Sequence, residues 1–168
     1  MDRFKWSELT KPQVGRYAEY FVKMRFTLHG FDVYTAEVDD KGIDFVIRKE
    51  PGCYFDIQVK SVRDYGLICL PLRVFKPKEN LLAAIVNFID GKPPEPYLIR
   101  STEWESRTGE MPVHYKRPHE DNKKDFDEYQ LRMKGHESLL TEYAFDAVVR
   151  DLLSQALPTQ SGRRERRE

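Results

Sequence analysis

Three polar residues on two neighbouring segments could do chemistry together. Asp44 follows Gly42-Ile43 at the head of a short apolar run, and Gln58 and Lys60 stand two apart in another. In a strand, alternate residues share a face, so Gln58 and Lys60 point the same way. If the two runs pair through the turn at Glu50-Pro51-Gly52, Asp44 comes beside them, and Asp56 falls on the same face as a second carboxylate candidate. Polar groups clustered on a central strand are costly unless paired or metal-bound. A hard divalent cation takes oxygen ligands. Asp44, the side-chain oxygen of Gln58 and a backbone carbonyl would supply them, and the ammonium of Lys60 could orient or deprotonate a water. That is the equipment of metal-assisted phosphodiester hydrolysis. Glu19 could add a carboxylate from across the sheet, and Arg16, one turn earlier, could contact a phosphate. The competing reading is ordinary: a solvated strand face for Gln58 and Lys60, and an i,i+4 pair of Glu19 with Lys23 on a helix surface.

These residues need a scaffold, and the local patterns supply one. Val14, Tyr17, Ala18, Phe21 and Leu28 recur at helical spacing, which predicts a helix over Gln13 to Leu28. Pro12 sits at its start and His29-Gly30 at its end, as helix termini favour. Three strands follow, over Phe31 to Glu37, Ile43 to Arg48 and Tyr54 to Ser61, separated by turns. In the third, Phe55, Ile57 and Val59 alternate with Asp56, Gln58 and Lys60. The run after Gly66 predicts another strand, with Pro71 marking an edge or bulge. Leu81 to Ile89 is apolar apart from Asn87 and ambiguous between strand and helix; Asp90-Gly91 and the prolines before Tyr97 favour a strand, the first arm of a hairpin. The stretch from Glu103 to Gly135 is polar and predicts a loop with a short helix near Phe126 to Arg132. Leu139 to Leu157 predicts an amphipathic helix.

With Glu19 in a helix, Gly42-Ile43-Asp44 and Gln58-Val59-Lys60 in order, the chain resembles the PD-(D/E)XK nuclease superfamily. The likeness is to its E…GxD…QxK branch, seen in Mrr-like restriction endonucleases and, with Glu for Gln, in Holliday-junction resolvases. It covers residues 13 to 62. The resemblance implies an α/β (α+β) fold with a restriction-endonuclease-like core, a central mixed β-sheet flanked by helices. It implies a Mg²⁺- or Mn²⁺-dependent endonuclease acting on DNA rather than RNA. Asp44, Gln58, the Val59 carbonyl and Glu19 would be metal ligands and Lys60 would activate the water; Arg16 is a nucleic-acid-binding candidate by its place on the helix alone. Two departures stand out. Gln58 replaces an acid found in many members, which lowers the negative charge of the site. Strand-like residues also follow Lys60, where the family has a helix. An inactive nuclease-fold protein that binds nucleic acid or a protein partner is the alternative.

Composition narrows the setting. The chain has 168 residues, 28 Lys+Arg and 28 Asp+Glu, so bulk charge does not drive it onto nucleic acid. No apolar run reaches the ~18 residues of a membrane span, and the polar start has no signal-peptide core. Cys53 and Cys69 form no framework or metal pattern. Together these predict a cytoplasmic protein with no membrane partner. We expect a single nuclease-like domain over 1–157 and a basic disordered tail over 158–168. One site per chain means that cutting both strands takes a homodimer.

Other motifs weigh less. His29, His114, His119 and His136 show no zinc-site spacing. Trp6 and Trp104 read as packing. His119-Glu120-Asp121-Asn122, Tyr115-Lys116-Arg117, Lys123-Lys124 and the Arg163-Arg164 and Arg166-Arg167 tail read as solvated before they read as ligands for metal or nucleic acid.

Overall fold

The structure, a computed structural model, describes residues 4–35, 42–49, 52–105, 113–116 and 128–156. It opens with helix α1, Lys11–Leu28. Thr10 and Gln13 form a capping box: the Gln13 N–H donates to Thr10 Oγ1, and the Thr10 N–H donates to Gln13 Oε1 at 2.8 Å. These bonds satisfy amides that a helix start leaves open. Pro12 in the first turn has no N–H to lose. The helix ends where Gly30 takes a φ of +76° and its N–H returns to the Thr27 carbonyl at 2.9 Å. Val14, Ala18, Val22 and Phe26 form its buried face.

Five strands build the central sheet, in the order β1 (Asp32–Thr35), β2 (Phe45–Lys49), β3 (Cys53–Arg63), β5 (Leu81–Phe88) and β6 (Glu95–Arg100). β1, β2 and β3 form an antiparallel meander, β3 and β5 run parallel, and β5 and β6 form the expected hairpin. The sheet is therefore mixed. Residues 64–80 cross between the parallel strands, a job usually given to a helix. Here they contain β4 (Leu67–Pro71), which joins β8 (Glu128–Arg132) and β7 (Val113–Lys116) in a second, three-stranded sheet with β4 at its edge.

β5 explains the layering. All eight of its residues are buried. Leu82, Ala84, Val86 and Phe88 face one core, with α1 and with Phe145, Val149 and Leu152 of helix α3 (Phe145–Ala156). Leu81, Ala83 and Ile85 face a second core, with Ile68, Leu70, Tyr129 and Leu131 of the second sheet and with Phe75 and Trp104. A strand covered on both faces reads as a near-continuous apolar run, here broken only by the buried Asn87. The fold is α+β, a central mixed sheet flanked by helices, as expected.

Two expectations are corrected. Where a short helix was expected near Phe126 to Arg132, the described part, Glu128–Arg132, is strand β8, because Leu131 pairs with Ile68 and Tyr129 with Leu70. Nor is 139–157 one helix. A short turn of helix, α2 (Glu137–Leu140), and a 3₁₀ turn precede Ala144, whose extended backbone (ψ 127°) bridges to Tyr97 before α3 begins.

Asp146 ties α3 to α1. Its carboxylate accepts from His29 Nε2 at 2.9 Å and from the Arg25 guanidinium. The His29 hydrogen bond first, and Arg25 second, hold the Asp146 carboxyl below its ordinary 3.8. A lowered carboxylate stabilises the fold above its ordinary value and stops doing so as pH falls through and below it. Asp146 is about half exposed, so screening keeps the link under about 1 kcal/mol. Asp146→Asn is expected to melt slightly lower than the parent at about pH 6, the gap closing as pH falls below 3.8 and through the lowered folded value. Thermal melts across that range check this.

Candidate functional site

Asp44 stands where β2 parts from β3. The last paired residues are Phe45 and Ile57, so the Val59 N–H has passed the end of the ladder. It finds an acceptor in the Asp44 side chain: Val59 N–H donates to Oδ2 at 2.6 Å, while the Asp44 N–H donates to the Ile57 carbonyl at 2.9 Å. Backbone N–H groups of a strand lie in the plane of its sheet. The carboxylate therefore sits in that plane, in the fork beside Gln58 and Val59. Six residues of β3, from Gln58 to Arg63, run on past the fork paired in the ladder only to β5 on their other edge.

Gln58 and Lys60 share the face of β3 turned away from α1, pairing with Ala83 and Ile85 of β5. Gln58 is 3% exposed, and its Oε1 is buried with no hydrogen-bond partner. A buried carbonyl oxygen left unpaired costs ~1–3 kcal/mol. Lys60 is half-buried. Asp56, on the same face, has another partner: its carboxylate is ion-paired with Lys78. Glu19 and Arg16 pair with each other at 3.0 Å. Glu19 is on the helix layer, not on the face of Gln58 and Lys60, and Lys23 goes to Thr35 instead of Glu19. The structure thus brings Asp44 to the Gln58-Val59 backbone and aligns Gln58 with Lys60. It leaves Glu19 and Arg16 as an ion pair across the sheet.

Among the described residues, no group of three or more His, Cys, Asp and Glu side chains is placed to hold a metal ion. The donor set is of another kind: one carboxylate, one unpartnered amide oxygen and main-chain carbonyls. All are oxygens, the ligands a hard cation takes, and the Gln58 oxygen is the atom in want of a partner. The residues fit a divalent ion of the magnesium type.

Gly42 is a residue that spacing alone marked only as a turn. Its φ is +69°, and a Cβ there would lie 2.9 Å from Val74 Cβ and 3.4 Å from Gln58 Nε2. Gly42→Ala is expected to cost ~1–2 kcal/mol in left-handed strain before the clash is counted. It would also push on Gln58. Thermal melting should fall by several degrees, at about 2–4 °C per kcal/mol for a chain of this size.

No protein-family model matches the chain. No curated protein matches it. Among solved structures, a bacterial homing endonuclease aligns over 83% of this chain and 98% of its own, at 16% sequence identity and a TM-score of 0.41.

Trp6 and Trp104 are packing residues, 6% and 1% exposed. His29 closes α1 and holds Asp146. The side chains of His114, Tyr115 and Lys116, the segment from Arg117 to Lys124, and the basic tail from Pro158 onward lie outside the described residues. No described helix is long and apolar enough to cross a membrane.

Proposed function

We propose that the chain is a divalent-metal-dependent endonuclease that hydrolyses DNA phosphodiester bonds on a restriction-endonuclease-like core. The observation that supports this best is the pairing of Asp44 Oδ2 with the Val59 N–H, beside a buried Gln58 Oε1 that has no partner. Asp44, Gln58 and the Val59 carbonyl would hold Mg²⁺ or Mn²⁺, with Glu19 a further carboxylate once Arg16 turns to a phosphate. When bound, the ion supplies positive charge against the phosphoryl oxygens and the attacking water. The Lys60 ammonium would hold that water by its oxygen, and the water's proton would leave to a phosphoryl oxygen or to solvent. Gln58 and Val59 keep bulk water from the buried side of the fork. Double-strand cutting would take two copies, and the absence of a membrane-spanning run fits a cytoplasmic setting.

Supercoiled plasmid incubated with the protein is expected to be nicked in Mg²⁺ or Mn²⁺ and left intact with a chelator. No cleavage under any divalent ion overturns the reading. One observation favours a second reading, an inactive binder of the same fold: Gln58 brings no charge to the ion. Calorimetry decides between them, since Asp44-dependent heat on titrating Mn²⁺ belongs to the enzyme.

A further inference from the structure

The second sheet does not extend over the whole central sheet. Its apolar core takes residues from β3's neighbour β5 and from β6, and none from β1 or β2 among the described residues. On that uncovered side the register puts Tyr34 of β1 opposite Val46 of β2, and Arg48 of β2 opposite Tyr54 of β3. Tyr34 and Tyr54 are 52% and 56% exposed. Together with Val46, Arg48 and Gly52 they line an open concavity of about 510 Å³. Two large exposed rings standing on one sheet face are costly ornaments for a surface that only meets water.

We propose that this shelf stacks unpaired bases of the nucleic acid flanking the cleavage point, so that the substrate is single-stranded or frayed there. The inference rests on the nuclease reading and names its substrate class. Tyr54, Asp56, Gln58 and Lys60 alternate along one face of β3. Tyr54 is four residues from Gln58, roughly 13 Å along the strand. One strand of nucleic acid advances ~3.4 Å per stacked base, so the shelf lies a few nucleotides from the fork. In a duplex the base faces are hidden inside the stack; a flat tyrosine reaches them only where the bases are unpaired. The charges between shelf and fork permit an approaching phosphate backbone: Asp56 is neutralised by Lys78, and Lys60 lies on that side. Stacking, not ion pairing, therefore carries the affinity, and salt should weaken it only mildly.

The test uses the full chain in chelator, where nothing is cut, with a short labelled oligothymidylate and a blunt duplex of the same length read by fluorescence anisotropy. The oligothymidylate is expected to bind more tightly than the duplex. Tyr34→Ala and Tyr54→Ala should each weaken it about tenfold, and Tyr54→Phe should restore it. Both rings are surface groups, so unchanged melting will show that the variants fold. Equal binding of duplex and single strand, or a double alanine variant that binds as the parent does, overturns the proposal. So does loss of self-association in that variant with oligothymidylate binding intact, which would make the shelf a contact between copies. The two readings fail separately. A chain that stacks oligothymidylate through these tyrosines but cuts neither plasmid nor single-stranded DNA with Mg²⁺ or Mn²⁺ loses only the catalytic reading. One that cuts plasmid with both tyrosines removed and binding unchanged loses only the shelf.

Discussion

Asp44→Asn is expected to lower metal-dependent plasmid cleavage by at least about 10³-fold while the protein stays folded. The carboxylate brings the ion several kcal/mol of charge interaction, and each ~1.4 kcal/mol is tenfold in rate. Asparagine keeps an oxygen where Oδ2 now accepts from Val59 at 2.6 Å. The structural bond survives in neutral form, at a cost of about 1 kcal/mol. Asp44→Ala removes both functions: cleavage falls as far, and a part-buried N–H loses its acceptor, for ~1–3 kcal/mol. Lys60→Ala removes the group that holds the attacking water and should lower the rate by ~10²–10⁴-fold with little change in stability, since Lys60 is half-buried at the surface of the fork. Nicking assays paired with urea midpoints separate the three. Cleavage that persists in Asp44→Asn and Lys60→Ala places the chemistry elsewhere.

Phe26→Ala should be the most damaging change to the fold. Phe26 is fully buried and its ring meets Phe145 at 4.7 Å, Phe31 at 5.7 Å and Phe45 at 6.2 Å between centroids. It joins α1, α3 and the start of the sheet at one point. Truncating such a ring costs ~3–5 kcal/mol in lost transfer energy and cavity, against a whole-domain stability of ~5–15 kcal/mol. A urea titration followed by circular dichroism is expected to show the midpoint fall by a third or more of its value at unchanged slope. A shift of a few tenths of a kcal/mol would mean that the aromatic cluster repacks around the gap.

What could be read from the amino acids was what local pattern decides. α1 carries its own cap, apolar stripe and terminating glycine, and the strands from Asp32 to Arg63 alternate cleanly between turns. β5 is ambiguous by periodicity; its length and the Asp90-Gly91 turn settle it. β8 was hidden because its only apolar residues are Tyr129 and Leu131, and its strand character comes from pairing with β4. The break at Ala144 was hidden for the same reason, since Ala144 is a fair helix former drawn out by its bridge to Tyr97. At the site, the shared face of Gln58 and Lys60 follows from alternation. The Asp44–Val59 bond depends on where β2 stops pairing, and the ion pair of Asp56 with Lys78 on a partner 22 residues away; neither has a local signal.

The bond from Val59 to Asp44 also bears on how relatives of this chain should be read. An acid that holds two strands together is kept by selection for folding alone, even in a lineage that has given up cutting. Lys60 closes no such structural gap. Across a set of homologues, then, a surviving aspartate at 44 would say little about catalysis, and drift at 60 would date its abandonment.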